Sequence, residues 1–235
     1  MKKENFIRGV RRGLPVGVGY FSVSFGFGAM AVSQGLKALD ATLISMSNLT
    51  SAGQFAGLTL IVAAASLWEL VLTQIIINSR YALMSLALSQ KLGKDVTIPG
   101  RLAIAFFNTD EIFALAMAEP GKLQLPFMLG LGSMPILGWT FGTLFGALAG
   151  SVLPPDIGTA LGVMLYGMFI AIVVPPAKRE KPVLIAVILA MVLSCLFAWA
   201  PVLKQMSPGV AIVVCTVAAA AVCAWLFPVK EEAQV

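Results

Sequence analysis

Long apolar runs dominate the sequence between residues 13 and 228, and short segments with glycine, proline or charge separate them. A membrane-spanning helix needs about 20 mainly apolar residues, which most of these runs provide. Backbone groups in hydrocarbon must hydrogen-bond within their own segment, and the alternation typical of β-barrel strands is absent, so helices are predicted. The predicted fold class is all-α, a polytopic bundle of transmembrane helices. The predicted spans cover residues 13–33, 42–65, 68–90, 101–118, 126–150, 157–175, 182–203 and 208–228.

The composition places the whole chain in the membrane. Of its 235 residues, 59% are hydrophobic and 11% are charged, whereas soluble proteins average about 25% charged residues. Because no polar block is large enough to fold separately, residues 1–235 are predicted to form one integral membrane domain. Residues 1–12 would be its basic cytoplasmic N-terminus and residues 229–235 its C-terminal tail. A signal peptide cleaved after residues 29–31 is the alternative, but its removal would leave a chain that still spans the membrane.

The distribution of basic residues bears on the number of crossings, because cytoplasmic loops are enriched in Lys and Arg. Eight crossings place ten basic residues inside and five outside, with Arg80 within the membrane. A re-entrant or interrupted helix within residues 42–90 would give seven crossings, with nine basic residues inside and six outside. The charge rule therefore favours eight crossings over seven, and the N-terminus is predicted to be cytoplasmic.

Two recurring patterns suggest internal organisation. The first is a possible half-chain repeat, in which Pro15, Phe21, Phe25, Gly26 and Ala29 recur at an offset of 120 residues. An odd number of crossings per repeat would make such repeats inverted. The second is a four-residue spacing of glycines, which puts them on one helical face and predicts close helix packing. These glycines are Gly138, Gly142, Gly146 and Gly150, then Gly158 and Gly162, and Gly53 and Gly57.

Several kinds of chemistry are excluded or disfavoured by the sequence. The chain has no His, which excludes histidine proton relays and Ser-His or Cys-His nucleophile pairs. Its three cysteines lie in apolar runs without a C-x-x-C pair, so neither disulfides nor a zinc site is indicated. No P-loop is present, so the chain does not hydrolyse ATP itself. We expect no cofactor, no metal and no enzymatic activity.

Three clusters of polar side chains interrupt the apolar runs, each several residues from the nearest span end. In the fourth run, apolar side chains favour insertion by about 2 to 4 kcal/mol and two central carboxylates oppose it by about 5 to 7 kcal/mol. This run should not remain in lipid alone, so its carboxylates need a partner, water or a proton. The clusters are Asn48, Thr50, Ser51, Gly53 and Gln54; Gln74, Asn78 and Arg80; and Asn108, Thr109, Asp110 and Glu111.

The side chains of Asp110 and Glu111 are predicted to point in two different directions. Adjacent helical residues point about 100° apart, so one carboxylate can pair with Arg80 while the other faces a cavity. A carboxylate that loses its hydration binds a proton more readily, so either residue could couple transport to protons. A purely structural ion pair is the alternative.

The segment SAGQFAG, residues 51–57, predicts an interrupted helix. Gly53 and Gly57 each weaken a helix by about 1 kcal/mol relative to Ala, and Ser51 and Gln54 supply hydrogen-bonding groups. A helix interrupted near the bilayer midplane exposes backbone groups that can bind an ion or a substrate. The alternative is a continuous helix in which Gln54 hydrogen-bonds to a neighbouring helix.

The three clusters together resemble the AzlC family of branched-chain amino acid permeases, which form the large subunit of an exporter. The matching segments are SAGQF at 51–55, INSRY at 77–81 and NTDEIFAL at 108–115, in the family's order, and the first span from Pro15 also matches. Family members often have His after the Arg, where this chain has Tyr81. A proton role at that position therefore does not carry over, and Asp110 or Glu111 becomes the better candidate.

The resemblance implies a multi-pass protein of a bacterial plasma or inner membrane that exports valine, leucine and isoleucine, with methionine as a further candidate. It also implies a small hydrophobic AzlD-like partner subunit in the membrane. With no ATP site in the chain, the proton gradient is the expected energy source.

The chemistry of a zwitterionic substrate gives each candidate residue a role. Arg80 could bind the substrate carboxylate with two hydrogen bonds, and Asp110 or Glu111 could bind the ammonium group. A carrier for another small amphipathic metabolite, a non-transporting scaffold subunit and a membrane-embedded enzyme are the competing hypotheses. The candidate substrate-binding residues are Ser51, Gly53, Gln54, Asn78 and Arg80, and the candidate residues for proton coupling or an ion pair are Asp110 and Glu111.

Overall fold

A computed structural model describes residues 2–150, 170 and 173–228. The regular structure of these residues is helical, apart from one isolated bridge between Leu92 and Leu123, so the all-α prediction is confirmed. Residues 170 and 173–179 are also helical, and Leu203–Gln205 forms a 3₁₀ turn. The helices are α1 Lys2–Ser33, α2 Ala38–Ser47, α3 Ser51–Val62, α4 Leu67–Lys91, α5 Ile98–Phe106, α6 Asp110–Ala118, α7 Leu125–Gly150, α8 Lys181–Trp199 and α9 Pro208–Leu226.

Five helices of the described residues are long and apolar enough to cross a membrane: α1, α4, α7, α8 and α9. Four of them match predicted spans to within a few residues. The fifth, α1, begins at Lys2, so the basic N-terminus predicted for residues 1–12 continues directly into the first span. Most of the predicted span 157–175, and the tail 229–235, lie outside the described residues.

Two predicted spans are each broken into a pair of short helices. Residues 48–50 separate α2 from α3, and residues 107–109 separate α5 from α6. Helices α5 and α6 have nine residues each, or about 14 Å at 1.5 Å per residue, against a hydrocarbon thickness of about 30 Å. The prediction of a single continuous span over 101–118 is therefore corrected.

The first break is close to the predicted one but not within it. Residues 51–57 are helical, and the interruption lies just before them. There the Asn48 Oδ1 atom accepts hydrogen bonds from the backbone N and from Oγ1 of Thr50, both at 2.9 Å. This local bonding offers the backbone an alternative to a helix, which is why Asn and Thr favour such positions. The glycines predicted to cause the break lie inside α3 instead.

Helices α1 and α7 pack side by side and run in the same direction. Gly9 lies against Phe127 near the start of both helices, and Gly150 lies against Ala29 at the end of both. A Cβ atom on Gly138 or Gly146 would collide with the α1 backbone. The prediction that the glycines of this face serve close packing is confirmed for α7, whereas Gly158 and Gly162 lie outside the described residues.

The parallel direction of α1 and α7 bears on the predicted half-chain repeat, whose offset is 120 residues. Phe25 faces Gly146 across the contact, so helix positions related by nearly that offset lie next to each other. First helices of inverted repeats would run in opposite directions across the membrane. The half-chain repeat itself stays a prediction, and an inverted repeat that begins with these two helices is not what the structure shows.

The chain divides into two compact units. The first contains Met1–Phe55 and Asn78–Leu165, and the second contains Ala56–Ile77 and Tyr166–Val235. In the second unit, α8 and α9 form an antiparallel hairpin, with Cys223 near the end of α9 facing Pro182 at the start of α8. Gly209 of α9 lies close to Leu60, Glu69 and Thr73. The single-domain prediction remains a prediction.

In the first unit, α5 and α6 form a helical hairpin. Arg101, near the start of α5, donates hydrogen bonds to Val96 and Ser89 carbonyls. Glu119, just after α6, pairs with Arg8 at the start of α1, with 3.2 Å between Nη1 and Oε1. Gly100 of α5 lies against Leu125 at the start of α7, which begins beside the start of α1, so both ends of the hairpin lie at the N-terminal end of α1.

The tip of this hairpin, residues 107–109, lies near the middle of α1. Its neighbour there is Tyr20, which contacts Thr109. Along α4, Ser85 faces Asn108 at the tip and Lys91 faces Met117 at the base, so residues 78–91 of α4 run in the opposite direction to α1.

Buried apolar side chains hold the hairpin against α4 and α7. Helix α5 contributes Ile104, α6 contributes Ile112 and Ala116, and α7 contributes Phe127 and Leu131 to one continuous core. Phe107 at the tip packs its ring against Gly132, where a Cβ atom would collide with it. This packing fixes the tip of the hairpin in place.

Candidate functional site

Arg80 and Asp110 form an ion pair at the tip of the α5–α6 hairpin. The Arg80 Nη1 and Asp110 Oδ2 atoms are 2.8 Å apart, as the sequence predicted for one member of the acidic pair. Asp110 is the first residue of α6, where the helix dipole also stabilises a negative charge. The two side chains are 47% and 45% exposed, so another charged group can approach them.

Glu111 points elsewhere, as expected for the next residue along a helix. Its Oε2 atom lies 2.5 Å from the Tyr20 hydroxyl, which in turn lies 2.7 Å from Thr109 Oγ1. A phenol has only one proton. When Tyr20 donates that proton to the Glu111 carboxylate, it accepts a hydrogen bond from Thr109.

Asn108, also at the tip, ties the hairpin to α4. Its Nδ2 group donates to Ser85 Oγ at 3.0 Å. The side chain is only 4% exposed, and its Oδ1 atom has no hydrogen-bond partner among the described residues. A buried amide oxygen without a partner is uncommon in folded proteins.

Gln54 of α3 belongs to a second polar cluster. Its Oε1 atom accepts a hydrogen bond from Trp139 Nε1 at 2.8 Å, and its Nε2 group donates to Ser45 Oγ and to the Asn48 carbonyl, both at 3.2 Å. Ser45 also bonds Thr143 of α7 at 2.7 Å. Gln54 is 3% exposed, and both of its N–H donors are used. Gln54 therefore links α3 to α7, as the alternative for this residue predicted, although the helix is broken before it; its substrate role stays a prediction.

Tyr20 and Trp139 connect the two clusters. Their rings meet edge to face with centroids 5.3 Å apart. A continuous chain of contacts therefore runs from Glu111 through Tyr20 and Trp139 to Gln54. The polar groups next to the two broken helices belong to one connected arrangement.

The remaining predicted residues lie on α3 and α4. Ser51 and Gly53 belong to the first turn of α3. Asn78 lies two residues before Arg80 on α4, and residues two apart on a helix point about 200° apart. Asn78 and Arg80 therefore do not face the same spot, and a substrate role for Ser51, Gly53 and Asn78 stays a prediction.

Sequence reasoning missed several residues of these clusters. Tyr20 and Trp139 belong to glycine-rich helices whose spacing indicated packing alone, and their partners are 85 to 91 residues away in the chain. The chemistry of a buried phenol or indole, each of which needs a hydrogen-bond partner, is a signal that was available. The other missed residues are Ser45, Ser85 and Thr143.

Comparison with known proteins identifies the family. The family described as AzlC protein matches residues 15–153, more than half of the chain. The chain belongs to the AzlC family. This AzlC match includes every residue of the clusters around Arg80 and Gln54.

Similar proteins agree with this assignment and with a membrane location. The chain is 29% identical to "Inner membrane protein YgaZ" of Escherichia coli strain K12, over 75% of each chain. It is 31% identical to a membrane protein of Archaeoglobus fulgidus, over 75% of this chain and 78% of the other. A membrane protein of Helicobacter pylori strain 26695 is 27% identical, over 77% and 80%. No solved structure matches the chain significantly. This AzlC-family protein is a multi-pass membrane protein.

Proposed function

We propose that this AzlC-family protein is a transporter that exports valine, leucine and isoleucine, with methionine as a further substrate, driven by the proton gradient. The observation that carries the proposal is the group formed by Arg80, Asp110 and Glu111, held at the tip of a re-entrant hairpin near the middle of α1. Charged groups at such a depth are costly, and a substrate pathway is their usual reason.

The geometry of this group suits a zwitterionic amino acid. The half-exposed Arg80 guanidinium can offer two parallel N–H donors to a carboxylate. Glu111 is exposed and points away from the ion pair, so it can bind an ammonium group next to it. Asp110 holds Arg80 in position when no substrate is bound.

The hairpin also revises the proposed topology. Residues 2–150 place nine basic residues at the N-terminal end of α1 and only Lys37 at the opposite end. We propose six crossings, which are the five long helices and the predicted span 157–175. Residues 34–66 and 98–118 would be re-entrant, from opposite sides of the membrane. Thirteen basic residues then lie inside, Lys37 and Lys204 lie outside, and Arg80 lies within the membrane. This asymmetry is larger than that of seven or eight crossings, in better accord with the positive-inside rule.

The proposal includes a small hydrophobic AzlD-like membrane subunit as partner, on the strength of the family resemblance. Two rivals remain. A carrier for another small amphipathic metabolite would use the same charges, and a scaffold subunit would need none of them. The buried clusters at both helix breaks favour a carrier over a scaffold.

A growth test distinguishes these possibilities. Cells that lack their own branched-chain exporters and express this protein with its partner are challenged with leucine-containing dipeptides. We expect Arg80→Ala and Asp110→Asn to lower the tolerated dipeptide concentration about tenfold or more, because a charge-assisted hydrogen bond contributes about 1.5 to 3 kcal/mol. Lys37→Ala, at the opposite end of α1, is the matched control.

If the wild type and the variants, at equal protein levels, tolerate no more dipeptide than cells without the protein, both the proposed substrate and the roles of Arg80 and Asp110 are refuted. Tolerance that depends on the protein but not on Arg80 would keep leucine as the substrate and overturn the proposed carboxylate site at Arg80.

A further inference from the structure

The hairpin tip has an uncompensated negative charge. Arg80 contributes +1, and Asp110 and Glu111 contribute −1 each, which leaves −1. Arg80 pairs with Asp110. Among the described residues, Glu111 instead contacts the hydroxyl group of Tyr20, which is neutral. An ionised carboxylate at membrane depth is strongly unfavourable unless a cation accompanies it. Of the two acidic residues, Glu111 is therefore the one that needs an accompanying cation.

The groups that face Glu111 leave it as the point where a cation would bind. Tyr20 approaches from α1, Arg80 and Tyr81 belong to α4, and Asp110 precedes it on α6. Arg80 lies over the Tyr81 ring, with its Cζ atom 5.1 Å from the ring centroid, and it pairs with Asp110. Its positive charge is therefore concentrated on the Asp110 side of the tip.

The hydrogen bonds around Tyr20 can accommodate Glu111 with or without a proton. With an ionised Glu111, Tyr20 donates to the carboxylate and accepts from Thr109. With a protonated Glu111, the carboxyl O–H donates to Tyr20, and Tyr20 donates to Thr109 Oγ1. Each of the three side chains keeps a hydrogen bond to another of them in either state, so the arrangement can hold Glu111 with or without its proton.

We propose that Glu111 is a single cation site that a proton and the ammonium group of the substrate occupy in turn, with Tyr20 and Thr109 as positioning residues. This inference rests on the proposed function, and it assigns the proton role to Glu111 rather than to Asp110. A proton leaves the Glu111 carboxyl group when the ammonium group arrives, and another binds when the substrate has left. The exchange couples the inward flow of one proton to the outward flow of one amino acid.

The test measures leucine binding and proton release together on the purified full-length chain with its partner subunit. Radiolabelled leucine reports binding from pH 5 to pH 8, and an indicator dye in weakly buffered solution reports protons. For the wild type we expect about one proton released per leucine bound at acidic pH. The apparent Kd should rise about tenfold for each unit by which the pH is lowered, in the range where the proton competes fully.

The variants separate a cation site from a structural role. Glu111→Gln should weaken leucine binding about tenfold or more and abolish proton release, whereas Glu111→Asp, which keeps the carboxylate, should retain release. Tyr20→Phe removes only the hydroxyl and should move the pH at which release is half-maximal. Glu119→Gln is the matched control, because Glu119 pairs with Arg8 at the base of the hairpin.

Each outcome has a definite reading. Leucine binding without pH dependence, or proton release that survives Glu111→Gln but not Asp110→Asn, would overturn the assignment to Glu111 and leave the proposed function standing. A wild-type protein that binds no leucine at any pH would refute the proposed function, and this inference would fall with it.

Discussion

Trp139 and Gln54 show how single residues hold the broken helices in place. The indole of Trp139 is 1% exposed and donates its N–H to the buried Gln54 side chain. Because both groups are cut off from solvent, losing one partner leaves the other with an unsatisfied hydrogen bond. The contact thereby fixes the start of α3 against α7.

Replacing Trp139 with Phe should therefore destabilise the protein. The ring contact with Tyr20 is largely kept, but Gln54 Oε1 loses its donor, at a cost of about 1 to 3 kcal/mol. Thermal unfolding of the purified protein in detergent would measure the change. Trp225→Phe is the control, because Trp225 is 81% exposed. Equal midpoints for the two variants would contradict a bonded role for the indole.

The sequence predicted that Arg80 would pair with one of the two carboxylates, because the insertion cost of two carboxylates demands compensation. It did not predict which carboxylate Arg80 would choose, since that depends on the rotation of α6 after the break. Tyr20 was missed because a single phenol on a glycine-rich helix has no local signature, and its partners come from a hairpin about 90 residues away.

At the scale of the helices, glycine spacing predicted the α1–α7 contact, and apolar length predicted the long helices but not the two breaks. The four-residue glycine pattern of α7 depends only on helix geometry, so the close contact with α1 could be predicted. The runs 42–65 and 101–118 are long enough to span, but Asn and Thr side chains at the breaks compete for the backbone. A length criterion cannot detect that competition, so the run 101–118 was predicted as a single span, and the break in 42–65 was predicted from its glycines and placed a few residues too late.

The α1–α7 contact gives a prediction with an internal control. Gly146→Ala places a methyl group against the Phe25 carbonyl, whereas an added Cβ on Gly26 meets no atom within 4 Å. We expect Gly146→Ala to destabilise the protein by about 1 to 3 kcal/mol. Gly26→Ala should be neutral or stabilising by up to about 1 kcal/mol, because Ala favours helix. Unfolding midpoints in detergent measure both changes.

The reverse order of these midpoints would show that α1 and α7 are not in this close parallel contact.

At the scale of the whole molecule, the proposed re-entrant course of residues 98–118 determines the side of the membrane on which each loop lies. The eight-crossing prediction put Lys94 outside the cell, because it counted residues 42–65 as a crossing before Lys94 and residues 101–118 as a crossing after it. The structure instead places Lys94 in the loop beside Leu123, at the same end as the start of α1. Charge counting alone could not detect this, because a re-entrant segment and a crossing have the same apolar sequence.

Cysteine labelling can test this sidedness. In a background where Cys195, Cys215 and Cys223 are replaced by Ala, Lys94→Cys should react with a membrane-impermeant maleimide in inverted vesicles and not in intact cells. Lys122→Cys is the control for the cytoplasmic side and Lys37→Cys for the external side. Labelling of Lys94→Cys in intact cells would restore residues 101–118 as a crossing.

The central claim is that the charges at the hairpin tip bind a zwitterion, and counterflow of labelled leucine in liposomes tests it most directly. The decisive variant is the double substitution Arg80→Ala with Asp110→Ala, which removes the ion pair without changing net charge. Replacing an ion pair with apolar side chains often preserves stability. The account predicts leucine counterflow for the wild type and, at equal reconstitution, a loss of about tenfold or more for the double variant. Undiminished counterflow in the double variant would show that the pair is structural and would contradict the account.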